Sequence, residues 1–191
     1  SPAPTWMIYG ANGYTGALIA EEAARRGYKP RLAGRNARAL KTLAERLQTT
    51  AFPCDLGDSS GLRAAVAGCR LVLHCAGPFG ETSRPMLDAC LAEGAHYLDI
   101  TGEIDVFAAC HARAAEATGR GICVVPGVGF DVVPTDTVAA LLQEALPGAS
   151  SLVLAFEAGG GPSVGTAKTS VAGIAKGGRV RRGGVMVQVP L

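Results

Sequence analysis

The chain has 191 residues, enough for one full domain and part of another, and 48% of them are hydrophobic, ample for a buried core. A formal charge of +2 and 5% aromatic residues exclude the basic, aromatic-studded face of a nucleic-acid binder, and no run reaches the length of a membrane span. Charge is uneven: every acid lies at or before Glu157, and Lys168, Lys176, Arg179, Arg181 and Arg182 follow with none.

In chain order, residues 6–9 read as an apolar strand that runs into Gly10-Ala11-Asn12-Gly13-Tyr14-Thr15-Gly16 and then into a helical pattern at 17–26. Residues 29–34 read as a second strand and 36–47 as a helix with Ala39, Leu40, Leu43, Ala44 and Leu47 on one face. A third strand at 50–54 turns through Asp55-Leu56-Gly57-Asp58 into a helix at 60–67 capped by Asp58 or Ser59. A buried fourth strand at 70–76 is broken by Gly77-Pro78-Phe79-Gly80 before a helix at 83–93. A fifth strand at 96–100, one long alanine-rich helix at 104–118 and a sixth strand at 122–125 complete the series.

Short strands alternating with helices of ten to fifteen residues are the pattern of βαβ units with right-handed crossovers. The expected fold is therefore α/β, a Rossmann-type doubly wound parallel sheet over residues 1–133. The pattern then changes to a helix at 134–146, an apolar strand at 151–157, a helix-like stretch at 166–176 and an alternating strand at 185–189. One closing strand cannot make a sheet. Residues 134–191 thus read as a connecting helix and the beginning of an incomplete second α/β domain, or as a segment that pairs with another copy in a homodimer.

Six cysteines show no C-x-x-C pair and no histidine spacing for zinc, so no metal is expected, and several sit in apolar runs as small hydrophobes. Residues 1–5 have neither the positive nor the apolar region of a signal peptide. These features read as a reduced, cytoplasmic protein.

Ligands of such sheets bind at the carboxyl ends of the strands, near the switch in strand order. The first of these ends is a nucleotide-phosphate cradle. Gly10 suits the positive φ of a tight turn, Gly13 leaves room for a pyrophosphate, and Gly16 lets the helix pack close to the strand. Phosphates there would meet free N–H groups at a helix N-terminus, so Asn12, Tyr14 and Thr15 join the candidate contacts. The spacing is G-x-x-G-x-x-G, not G-x-G-x-x-G, and its weight comes from the strand before it and the helix after it. About twenty residues on, Arg35-Asn36 stands where an NAD-selective site carries a carboxylate. A guanidinium suits a 2′-phosphate, which points to NADP. Asp55 reads as an adenine contact or as a turn residue. Cys75, Ala76, Gly77, Pro78 and Phe79 would run past the pyrophosphate and nicotinamide ribose.

On the substrate side, Glu103, Phe130 and Asp131 are the candidates, with helix capping as the other explanation for Glu103 and for Asp136. His74, flanked by apolar residues, reads as a core histidine ahead of a general base, and His96 and His111 as surface or helix residues. No Tyr-x-x-x-Lys pair exists: Gly13, Leu18, Leu32 and Thr101 stand four beyond Tyr9, Tyr14, Tyr28 and Tyr97. The catalytic residues are therefore not assigned.

Five spaced blocks carry a family likeness: Gly-Ala-Asn-Gly-Tyr-Thr-Gly (10–16), Ala-Gly-Arg-Asn (33–36), Cys-Ala-Gly-Pro-Phe (75–79), His-Tyr-Leu-Asp-Ile-Thr-Gly-Glu (96–103) and Pro-Gly-Val-Gly-Phe-Asp-Val-Val-Pro-Thr-Asp (126–136). In this order they resemble the saccharopine dehydrogenase-like oxidoreductases, including the trans-acting enoyl reductase branch. The resemblance implies an NADP-binding Rossmann domain followed by a mixed α/β domain that supplies the substrate site and dimer contacts. Gly165-Thr166 and residues 180–184 are similar to the opening of that second domain. The expected function is an NADP-dependent oxidoreductase acting on a small molecule, with hydride transfer to or from a C=N, C=O or activated C=C bond. The alternative is a redox sensor or scaffold that holds NADP(H) without turnover.

Overall fold

The computed structural model describes residues 5–155, 157, 167, 171 and 177–190. Strands and helices alternate from the start: β1 (Trp6–Tyr9), α1 (Tyr14–Arg25), β2 (Arg31–Gly34), α2 (Ala37–Arg46), β3 (Ala51–Pro53) and α3 (Ser59–Val66). The second half repeats the pattern with β4 (Leu71–His74), α4 (Phe79–Glu93), β5 (His96–Asp99), α5 (Ile104–Ala112), α6 (Ala114–Gly119) and β6 (Val124–Val125). Helix α7 (Val133–Ala145) follows. The chain divides into two compact units, Ser1–Phe156 and Glu157–Leu191.

In the first unit the six strands lie in the order β3-β2-β1-β4-β5-β6, and every pairing is parallel. This is a doubly wound sheet whose strand order reverses between β1 and β4. Met7, Ile8 and Tyr9 are all buried, as expected of a central strand covered on both faces. Ile8 and Leu32 pack with Ala20, Leu40, Leu43 and Ala44 of α1 and α2. The opposite face carries Met7, Tyr9, Val72 and Tyr97 against residues of α3, α4, α5 and α6.

The helix starts show which local signals set them. Asn36 caps α2 by accepting from the Ala39 N–H at 3.0 Å, and Asp58 caps α3 by accepting from the Gly61 N–H at 3.0 Å. Helix α1 begins at Tyr14, three residues before the start of the apolar periodicity, so Tyr14, Thr15 and Gly16 form its first turn. Helix α4 begins at Phe79, four residues before the expected start at Ser83. The expected single helix at 104–118 is two: Arg113 departs from helical geometry (φ −96°, ψ 8°), and its guanidinium holds Asp88 of α4 and Glu116.

Two expectations for the C-terminal part need correction. Residues 151–155 form no strand, and Leu152, Val153 and Leu154 are exposed; an apolar run becomes a strand only with a neighbour to pair with. The closing strand does have a partner in its own chain. In the second unit, β7 (Gly178–Arg182) pairs antiparallel with β8 (Val185–Val189) through Gly183 and Gly184, at φ +56° and +82°. Two consecutive positive φ values are the requirement of a two-residue hairpin turn. The helix-like stretch at 166–176 lies outside the described residues except for Ala167 and Val171.

Candidate cofactor-binding site

The strand ends assemble one crevice from the expected loops. Gly10, which follows β1, takes φ +80°, and its N–H and that of Ala11 both reach the Ala33 carbonyl of β2, at 2.8 and 3.2 Å. A Cβ on Gly10 would lie 3.0 Å from the Cys75 and Ala76 backbone, so the loops after β1 and β4 touch at the switch point. A Cβ on Gly16 would lie 2.2 Å from the Gly10 carbonyl oxygen, so only glycine lets α1 start this close to its strand. Gly13 is the N-cap, in extended conformation, and its N–H closes the turn onto Gly10 O at 2.9 Å.

No side chain caps α1, and among the described residues nothing accepts from the N–H groups of Tyr14, Thr15 or Gly16. The first intrahelical bond is Ala17 N–H to Gly13 O. Three aligned donors and the positive end of the helix therefore face the crevice. At the second strand end Arg35 is exposed, and Gly34 brings the chain within a Cβ's reach of Asn12: that Cβ would lie 3.1 Å from Asn12 Oδ1. Asn36 spends its side-chain oxygen on the α2 cap. Asp55 accepts from the Gly57 N–H at 2.7 Å through one oxygen, which closes a turn, and its other oxygen accepts nothing among the described residues.

The loop after β4 is tied from within. Thr82 donates to the Ala76 and Pro78 carbonyls, at 2.5 and 3.0 Å, and His74 Nε2 lies 3.1 Å from the Thr82 hydroxyl. With the hydroxyl proton committed to a carbonyl, His74 is the donor through Nε2–H, and its buried Nδ1 has no partner among the described residues. Burial holds the His74 pKa down to about 3 from 6.5, so the ring is neutral. It is a core histidine, packed against Tyr9, Phe79 and Tyr97. Burial likewise pushes the Cys75 thiol up to about 12, so it is no thiolate. All six cysteines are free.

On the far side, Glu103 does not cap its own helix. Its carboxylate accepts from the Phe79 and Gly80 N–H groups at 2.8 and 3.0 Å, and so caps α4. Phe130 is 65% exposed at the end of the β6 loop, beside the exposed Asp131. Loops after β2 and β6 are four strand spacings apart, about 19 Å. The residue that sequence inspection missed is Asp99, fully buried at the end of β5 with Tyr97, Thr101 and Gly127 as its donors. A signal existed, since Asp99 is a carboxylate between Leu98 and Ile100.

These residues fit a dinucleotide with a 2′-phosphate: a glycine turn that any Cβ would fill, an open helix N-terminus and an exposed guanidinium at the end of β2. Comparison with known proteins agrees. The family described as saccharopine dehydrogenase NADP binding domain matches residues 6–124. A mouse saccharopine dehydrogenase-like oxidoreductase is 26% identical over 170 residues, 78% of this chain and 40% of that protein. A trans-acting enoyl reductase of Mycobacterium bovis (strain BCG / Pasteur 1173P2) is 34% identical over 144 residues, 68% of this chain and 33% of that one. The chain thus spans well under half the length of these relatives. Among solved structures, saccharopine dehydrogenase (L-Glu forming) from Saccharomyces cerevisiae shares the fold, with a TM-score of 0.64 at 15% identity over 74% of this chain and 31% of that one. The chain belongs to the saccharopine dehydrogenase NADP binding domain family, and its cofactor is NADP.

Proposed function

We propose that this chain is the cofactor-holding part of an NADP-dependent oxidoreductase that acts on a small molecule carrying a C=N, C=O or activated C=C bond. The observation that carries the reading is the open N-terminus of α1, with three uncommitted N–H groups over a glycine turn at the β1–β4 switch point. When bound, NADP(H) supplies the hydride exchange. The chain's own residues bind and orient. The N–H groups of Tyr14, Thr15 and Gly16 receive the pyrophosphate, Gly10 and Gly13 leave its path clear, and Asn12 lies beside it. Arg35 pairs with the 2′-phosphate, with Asn36 and Asp55 on the adenine side. Thr82 holds the Ala76 and Pro78 carbonyls in place, so that residues 75–79 form a fixed wall for the nicotinamide ribose. Phe130 and Asp131, exposed on the β6 side, face the substrate.

A second reading, a sensor that holds NADP(H) without turnover, is favoured by one observation. The titratable groups under the mouth are poor proton donors, with His74 held down to about 3 and Tyr9 pushed up to about 12, both chiefly by burial. The test is NADPH bound to the chain and mixed with imines, carbonyls and enoyl thioesters, read by nicotinamide absorbance in a single turnover. Oxidation by one class supports the enzyme and names its substrate. Tight binding without oxidation by any class, in this chain and in the full-length protein, overturns the enzyme reading in favour of the sensor.

A further inference from the structure

Three loops on the β4, β5 and β6 side of the crevice are joined by side chains, and among the described residues no cation takes part in the joint. Asp99, at the end of β5, is wholly buried. Its Oδ1 accepts from the Thr101 N–H at 3.0 Å and from the Gly127 N–H at 2.9 Å, and its Oδ2 accepts from the Tyr97 hydroxyl at 2.7 Å. Its main-chain carbonyl takes the Val128 N–H at 2.7 Å. One residue thus fastens the start of the β6 loop, which leads to Phe130 and Asp131, onto the end of β5. The linkage continues towards β4: the Thr101 hydroxyl accepts from the Glu103 N–H at 3.0 Å, and Glu103 in turn holds the N–H groups of Phe79 and Gly80.

A buried carboxylate costs several kcal/mol to desolvate and persists only when its lone pairs are filled. Three donors meet Asp99, two on Oδ1 and one on Oδ2, so each oxygen is hydrogen-bonded. Two of these donors are backbone groups of loops that face the crevice, so the interactions that stabilise the charge also fix the loops. Hydrophobic packing could hold the same strands together without a charge, but it would not set two loops to hydrogen-bond precision.

We propose that Asp99 is a positioning residue that couples the loops after β4, β5 and β6, and so sets the nicotinamide and substrate side of the crevice while leaving the adenine side untouched. The proposal rests on the cofactor reading above. Its sharpest consequence is an asymmetry. Loss of the Asp99 carboxylate frees the Gly127 N–H directly, with the main-chain bond to Val128 left in place, and loosens residues 79–80 through Thr101 and Glu103. Among the described residues no hydrogen bond runs from Asp99, Thr101 or Glu103 to the loops after β1, β2 and β3, which take the adenosine and its phosphates; the β1 loop meets the β4 side only by packing against Cys75 and Ala76.

The test compares NADPH with 2′,5′-ADP, which carries only the adenosine half, by calorimetry on wild type, Asp99→Ala, Asp99→Asn and Tyr97→Phe. In Asp99→Ala the NADPH affinity falls by about tenfold, the upper end for a lost hydrogen bond, while that for 2′,5′-ADP holds. Asp99→Asn restores the NADPH affinity, because the carboxamide oxygen can accept from both N–H groups while the Tyr97 hydroxyl turns to accept from its NH2. Tyr97→Phe lowers the melting temperature but not the NADPH to 2′,5′-ADP affinity ratio, since it leaves the loop bonds intact. Amide exchange supplies an arm independent of the ligand: Thr101 and Gly127 exchange faster in Asp99→Ala than in wild type, relative to the amides of β1. Equal losses for the two ligands, an unchanged ratio, or unchanged exchange at Gly127 each overturn the proposal. If Asp99→Ala does not fold, Thr101→Val cuts the next link and must lower the ratio in the same direction. If wild type binds neither ligand, the cofactor reading fails, and the exchange arm still decides the role of Asp99.

Discussion

Gly16 and Gly13 stand three residues apart in the same turn, and the structure gives them different work. A methyl on Gly16 would sit 2.2 Å from the Gly10 carbonyl oxygen, 2.9 Å from its carbon and 3.0 Å from Ala11 Cα. All three are backbone atoms, so relief requires α1 to move off the strand. Overpacking of this kind costs about 1–3 kcal/mol, and contact with backbone places Gly16→Ala at the upper end. Replacing glycine by alanine inside a helix returns about 0.8–1 kcal/mol. The net loss is about 2 kcal/mol, which for a domain of this size lowers the melting temperature by about 4–8 °C. Because the displaced helix carries the Tyr14, Thr15 and Gly16 donors with it, NADPH affinity falls as well. Gly13 is different: its φ of −77° and ψ of 168° suit a β-branched residue, and a Cβ there would lie 3.2 Å from Gly10 O with no other neighbour within 4 Å. Gly13→Val therefore leaves the melting temperature nearly unchanged and blocks the phosphate approach, with NADPH affinity reduced by more than about tenfold. Thermal denaturation and NADPH fluorescence titration on both variants check this. A Gly16→Ala protein as stable as wild type, or a Gly13→Val protein with wild-type affinity, would refute the close-packing account.

Three further outcomes follow from the same geometry. Arg35→Ala lowers NADPH affinity by about ten- to a hundredfold, the range of a charge-assisted hydrogen bond, and leaves NADH affinity unchanged; fluorescence titration of both cofactors at two salt concentrations measures it. His74 has a folded pKa of about 3 against 6.5 unfolded, so its stability contribution is intact above pH 6.5 and is lost as the unfolded state takes up the proton on acidification. Between pH 6.5 and 5 the loss is about 1.6 kcal/mol, and urea denaturation shows His74→Gln with a correspondingly flatter pH profile than wild type. The β7–β8 hairpin, which has no third strand among the described residues, exchanges its ladder amides faster than β1 and β4, as hydrogen-exchange mass spectrometry reads directly; equal protection would mean that another surface covers it.

The elements readable from the sequence are those whose causes are local. Continuous apolar residues at 6–9, Asp58 as one of two candidate caps and the glycine turn at 10–16 carry their own structural reasons, and each stands where the pattern puts it; Asn36, read as the first residue of its helix, is its cap. The elements that were misread have distant causes. Helix α4 starts at Phe79 because Glu103, twenty-four residues on, supplies the acceptor for its first N–H groups. The helix at 104–118 breaks at Arg113, whose guanidinium is engaged by Asp88 of another helix. Residues 151–155 lack the neighbour that periodicity alone cannot supply, whereas β8 finds one in a segment whose arginines hide its strand character. In the proposed site, glycines and Arg35 announce themselves through residue type. Asp99 acts through burial, which a single sequence does not display.

The strand order has a consequence for how the molecule comes together. β1, β2 and β3 are contiguous in sequence, and so are β4, β5 and β6, whereas β1 and β4 pair residues far apart in the chain, Trp6 beside Leu71 and Tyr9 beside His74. Each half can gather its own short-range contacts early, but closing the seam requires a long loop and a correct register between two preformed edges. The crevice straddles that seam, the pairing of largest sequence separation in the sheet, so it is complete only once that pairing is made. Cofactor binding therefore reports on completion of the sheet, and a ligand that binds there acts as a latch on the last step of folding.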